Sequence, residues 1–157
     1  MAVLRPATEA DVAAITDLVD AAYGPYVERI GMRPGPMGED YSEVIRERQV
    51  TVAESEGALV GVLVLGTTAD GFLIHNVAVH PEHRGKGLGR VLLELAEAEA
   101  RRAGFDSIYL YTHEGLVESR ALYERIGYVE YERRPFEGFA IVFLRKDLKD
   151  EPGSGAA

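Results

Sequence analysis

Between Phe72 and Thr112 the hydrophobic period of the chain changes from about two to about 3.6 and back again. Phe72 to Val79 reads as an apolar strand behind the turn Asp70-Gly71, and Ser107 to Thr112 reads as a second one. Leu88 to Ala103 lies between them as a helix. Leu88, Val91, Leu92, Leu95 and Ala96 share one face, Glu94, Glu97 and Arg101 the other, and Gly104 ends it. A strand, a crossover helix and a strand bring one parallel pair into whatever sheet the chain builds.

The flanking segments fill in the rest. Val3 to Arg5 is a short strand, and Thr8 caps a helix with Val12, Ile15, Leu18 and Val19 on its inner face, which Pro25 ends. Gly31 to Gly38 (GMRPGPMG) reads as a loop, and Asp40 to Arg48 as a second helical piece. Val50 to Glu54 and Leu59 to Thr67 form an antiparallel hairpin about Glu56-Gly57. After the crossover come a helix at Leu116 to Ile126 stopped by Gly127, then strands at Tyr128 to Arg133 and Phe139 to Arg145. The order is β α α β β β α β α β β. This is an α+β fold in one domain, residues 1–149, with a tail over 150–157 of disordered composition.

With 157 residues the chain buries enough surface to need no metal or disulfide as a staple. It has no cysteine, which removes thiolate zinc sites and a cysteine nucleophile and fits a reducing cytoplasm. Lys plus Arg number 17 against 26 Asp plus Glu, for a formal charge of -9, which argues against nucleic-acid binding. The longest nearly apolar run, Ala58 to Gly66, is far short of a bilayer span, and Pro6, Glu9 and Asp11 stand where an export signal would be apolar.

Against that acidic background, Val77 to Arg90 (VAVHPEHRGKGLGR) reverses sign: Arg84, Lys86 and Arg90 face a single Glu82. A strand there leaves through Pro81 into a glycine-rich loop that becomes the first turn of a helix. Free N–H groups, the helix dipole and close backbone approach make such a loop an anion site suited to a phosphate or pyrophosphate. Neither common phosphate motif fits. Lys86 is followed by Gly87 rather than Ser or Thr, and a dinucleotide fingerprint from Gly85 would need glycine where Arg90 stands.

Arg84, Gly87 and Gly89 match the Arg/Gln-x-x-Gly-x-Gly/Ala signature of the GNAT superfamily of N-acetyltransferases, and Ala121 to Tyr128 (ALYERIGY) resembles that family's LYxxxGF/Y helix end. The resemblance extends in element order from Val3 to Leu148. It implies a mixed, mostly antiparallel sheet of about seven strands with about four helices. It also implies acetyl-CoA as co-substrate without a metal, its pyrophosphate on the backbone of Arg84, Gly85, Lys86, Gly87, Leu88, Gly89 and Arg90. The pantetheine arm would run beside Val77, Ala78 and Val79 where the two crossover strands splay, with the N–H of Val77 or Val79 facing the thioester oxygen. Taken singly, Val77 and Val79 read as core residues.

Tyr123 matches the family's usual general acid toward the departing thiolate. Leu73 stands where some relatives carry a glutamate base, so His75, on the same strand face by period two, is the base candidate, with Tyr111, His113 and waters held by a distant acid as others. Leu116 and Ser119 replace asparagines frequent in the family. The implied reaction is direct acetyl transfer to a primary amine in a ternary complex. Tyr23, Tyr26, Glu28, Arg33 and Tyr41 are candidates to line the acceptor cleft. A protein amino terminus or lysine as acceptor, and an acyl-CoA sensor without turnover, are the competing readings; a homodimer is compatible with all three.

Overall fold

The computed structural model describes residues 2–149, so the tail over 150–157 lies outside the described residues. Seven strands form one sheet: β1 (Val3–Pro6), β2 (Gln49–Ser55), β3 (Ala58–Thr68), β4 (Gly71–Val79), β5 (Ser107–His113), β6 (Val129–Phe136) and β7 (Phe139–Asp147). Their spatial order is β1-β2-β3-β4-β5-β7-β6. Five α-helices accompany them: α1 (Val12–Tyr23), α2 (Tyr26–Ile30), α3 (Tyr41–Glu47), α4 (Leu88–Arg102) and α5 (Val117–Arg125). The α+β architecture and the crossover β4-α4-β5 agree with the sequence expectation, and β4 and β5 are parallel.

Two local differences are instructive. Pro25 does not simply end the first helical stretch; it is the N-cap of the extra helix α2, where its fixed φ and missing N–H cost nothing. Thr8 heads a short 3-10 turn, Glu9–Asp11, before α1 begins. Asp11 explains that turn: its carboxylate accepts from Thr8 N (2.8 Å) and takes two Arg5 guanidinium hydrogens at 2.9 Å each, which holds its pKa down at about 2.

The described residues cluster into two compact units, one of 2–66 and 75–96, the other of 67–74 and 97–149. In the first, α1 lays Ile15, Leu18, Val19 and Ala22 on Val50 and Val52 of β2, Val62 and Val64 of β3 and Ala78 of β4, with Tyr41 and Val44 of α3 joining them. Gly61 of β3 receives Leu88 and Leu92 of α4; a Cβ there would stand 3.1 and 3.2 Å from their methyls.

In the second unit β7 lies between β5 and β6 and pairs antiparallel with both. Ile108, Leu110, Val142 and Leu144 are at most 2% exposed. Beside them Glu97 of α4 is buried. It accepts from Lys146 Nζ at 3.0 Å and from the Tyr128 hydroxyl at 3.3 Å, the partners a buried carboxylate requires. Among the described residues no helix is long and apolar enough to cross a membrane.

Candidate functional site

The loop between β4 and α4 begins with a 3-10 turn, Pro81–His83, behind which Arg84 N closes on Pro81 O at 3.4 Å. Gly85 (φ +79°) and Gly87 (φ +82°) then take left-handed conformations that side chains disfavour. A Cβ on either would meet nothing within 4 Å. Hydrogen bonding of the next helix starts only when Val91 N reaches Gly87 O at 3.1 Å. Among the described residues, the N–H groups of Gly85 to Arg90 therefore have no backbone acceptor. They open toward solvent at the positive end of a 15-residue helix, with Lys86 and Arg90 exposed beside them.

Arg84 departs from the expectation. Its guanidinium donates to Ala22 O at the C-terminal end of α1 (2.8 Å), and its N–H is turned to Pro81. A cation satisfies a helix's last carbonyls well, so this side chain fixes the loop against α1 instead of adding charge to the anion site. The set of free donors thus starts one residue later, at Gly85.

Upstream on β4, the parallel register with β5 covers Phe72–Ile74, and His75 to Val79 lie beyond it. Burial alternates along this stretch, with Asn76 and Ala78 buried and His75, Val77 and Val79 partly exposed. His75 sits over Gly66 of β3, where a Cβ would approach Nε2 to 2.7 Å. Burial, and then the Arg48 cation against a smaller opposite effect of Glu39, lower its pKa to about 4. At neutral pH His75 is an uncharged acceptor with little appetite for a full proton.

Tyr123 of α5 is 7% exposed, its ring 6.1 Å from that of Tyr128. Burial pushes its pKa up, so the hydroxyl stays protonated and keeps a proton to donate, and no hydrogen bond ties it among the described residues. Tyr111 is exposed and stacks near Phe143 (5.3 Å). His113 Nδ1 accepts from Gly115 N at 2.9 Å, and its Nε2 is buried without a hydrogen-bond partner among the described residues.

The expected acceptor-cleft residues are mostly committed elsewhere. Tyr26 is buried under the Arg29 guanidinium (4.8 Å), and Arg33 donates to Met37 O (3.3 Å) and stands 3.7 Å from Asp20. Tyr23 and Tyr41 belong to a buried polar chain with Asn76, a residue the sequence reading passed over. The Tyr23 hydroxyl donates to Asn76 Oδ1 at 2.7 Å, and Asn76 Nδ2 donates to the Tyr41 hydroxyl at 3.3 Å. A lone amide in the otherwise apolar run Leu73 to Val79, apart from His75, was the signal that could have found it.

Comparison with known proteins fits this geometry. The acetyltransferase (GNAT) family matches residues 13–128. The mycothiol acetyltransferase of Parafrankia sp. is 34% identical over 132 residues, covering 80% of this chain and 38% of that protein. The L-amino acid N-acyltransferase MnaT of Escherichia coli is 35% identical over 94 residues, covering 57% and 55%. Both matches therefore span only about a third to a half of the relative's own length. Among solved structures, yncA from Salmonella typhimurium with its cofactor acetyl-CoA superposes at a TM-score of 0.72 with 24% identity, over 98% of this chain and 97% of that one.

Proposed function

This chain belongs to the acetyltransferase (GNAT) family, and from that premise we propose that it binds acetyl-CoA on β4 and the start of α4 and transfers the acetyl group directly to a primary amine. The observation that carries the reading is the run of N–H donors from Gly85 to Arg90 without a backbone acceptor among the described residues, at a helix start left open by two positive-φ glycines. A pyrophosphate is the ligand such donors fit. Residues Gly85, Lys86, Gly87, Leu88, Gly89 and Arg90 supply the donors, and the backbone of Val77, Ala78 and Val79 supplies an unpaired strand edge for an extended arm. Arg84 serves by anchoring the loop. Acetyl-CoA, when bound, supplies an activated thioester.

The chain's own groups then set which amines react well. His75, with a pKa near 4, accepts a hydrogen bond from an amine without removing a proton from an ammonium to any useful extent. The amine must then arrive largely neutral. An α-amino group (pKa about 8) reaches that state more cheaply than a lysine-like amine (about 10.4), by roughly 3 kcal/mol. This favours an α-amine acceptor, in keeping with the amino-acid acyltransferase among the relatives. As the C–N bond forms and the C–S bond breaks, the proton that the attacking amine loses passes to the thiolate, to which Tyr123, held protonated, donates a hydrogen bond. The Val77 or Val79 N–H steadies the oxygen on which negative charge develops.

The test has two steps. Acetyl-CoA should raise the melting temperature and bind in calorimetry. A panel of amines assayed at pH 7 for release of free thiol should then rank by the fraction of each amine that is neutral. Absence of binding at millimolar acetyl-CoA would remove the reading; binding with no turnover on any amine would turn it toward an acyl-CoA sensor.

A further inference from the structure

Asn76 is 7% exposed and shares its strand face with Ile74 and Ala78. An apolar residue there would bury at no polar cost, whereas a buried amide left unpaired would be destabilising. Its partners therefore matter. The Tyr23 hydroxyl, 2.7 Å from Asn76 Oδ1, is also 3.3 Å from Val77 O. At the other end Tyr41 Oη lies 2.6 Å from Pro36 O. A carbonyl only accepts, so the Tyr41 proton points at Pro36. Tyr41 then accepts from Asn76 Nδ2, which turns Oδ1 to Tyr23. The chain of bonds has one direction, from α1 through β4 and α3 to the 3-10 turn Gly35–Gly38.

We propose that Asn76 is a positioning residue that couples the seating of acetyl-CoA along β4 to the conformation of residues 31–40. The coupling rests on the acetyl-CoA reading above. Val77 is the joint: its carbonyl (3.3 Å) and Asn76 Oδ1 (2.7 Å) compete for the one Tyr23 proton, so a ligand engaging the backbone of Val77 changes how firmly that proton sits on Asn76, in the chain that latches Pro36. The segment it latches leads from α2 to α3 and includes Arg33, Pro34 and Pro36. Acetyl-CoA binding thereby shifts the conformation of this segment.

Hydrogen–deuterium exchange of the whole protein, with and without saturating acetyl-CoA, tests this without knowledge of the acceptor. In the unaltered protein acetyl-CoA should slow exchange within 31–40 about threefold or more. Tyr41→Phe keeps the ring and cuts the latch; Asn76→Asp still accepts from Tyr23 but cannot donate to Tyr41. Both should bind acetyl-CoA calorimetrically and lose the ligand-induced slowing. A purely structural network would raise exchange equally with and without ligand and keep the ratio, which refutes the coupling. Slowing that is absent from the unaltered protein despite binding refutes it too. If the unaltered protein binds no acetyl-CoA, the functional reading itself falls and the coupling with it.

Discussion

Gly61→Ala tests whether β3 and α4 are packed at the limit their side chains allow. The added methyl would stand 3.1 Å from Leu88 Cδ2, 3.2 Å from Leu92 Cδ1 and 3.3 Å from Ala53 Cβ. The two leucine methyls can turn away, at about 0.5–1.5 kcal/mol each if they leave their rotamer wells. Ala53 has no torsion to turn and yields only by moving β2. Against this roughly 1–3 kcal/mol of overpacking stands a gain of about 0.4–1 kcal/mol from restricting the unfolded chain. The net loss is about 0.5–2 kcal/mol, which for a chain of this size lowers Tm by roughly 1–8 °C. Urea and thermal denaturation measure it, and Leu92→Val in the same background should recover at least about 0.5 kcal/mol, because the two sites are in contact. Leu88 opens α4, so the Tm gain from acetyl-CoA should shrink as well. An unchanged or higher Tm, or strict additivity with Leu92→Val, would refute the packing argument.

Gly87→Ala has open space but the wrong backbone: at φ +82° a side chain costs about 1–2 kcal/mol, so acetyl-CoA-induced stabilisation should fall while the packing of the core is unaffected. Tyr123→Phe should lower kcat by about 100-fold or more with little change in acetyl-CoA affinity, since its hydroxyl has no partner to lose; an unchanged kcat would make the ring purely structural. Asp11 is a carboxylate with a lowered folded pKa, so its pairing with Arg5 stabilises above the ordinary carboxylate value of about 4 and is lost as pH falls through about 2; Asp11→Asn should flatten the Tm–pH curve there. His75 also has a lowered folded value, but as a base: between about pH 6.5 and 4 the unfolded chain binds the extra proton, so stability drops as pH falls, and His75→Gln should remove that slope.

The parts of the fold legible in the sequence are those whose signal is local. The helix Leu88–Arg102 announces itself by one apolar face and a terminal glycine, and the hairpin of β2 and β3 by alternating valines around Glu56-Gly57. Helix α2 was hidden because Pro25 serves equally well after a helix and at the start of one. The insertion of β7 between β5 and β6 depends on pairings such as Tyr111 with Phe143, which no local pattern encodes. At the candidate site the glycine loop was readable for the same local reason. The direction of the Arg84 side chain was not, because its partner, Ala22 O, lies 62 residues away in the chain. The Tyr23–Asn76–Tyr41 chain was equally out of reach, since each of those letters alone is an ordinary packing residue.

With Arg84 bound to α1, the part of the loop that faces outward is built of main chain. Peptide groups are identical at every position, so the exposed Lys86 and Arg90 can drift in identity while the donor array stays as it is. Only two kinds of change reach it: a side chain placed on Gly85 or Gly87, or loss of the arginine that tethers the loop. A directed-evolution library over residues 85–90 should accordingly be tolerant at Lys86 and Arg90, restricted to apolar residues at Leu88, which packs on Gly61, and intolerant at those two glycines. Altering ligand preference would have to proceed through the strand and the acceptor side.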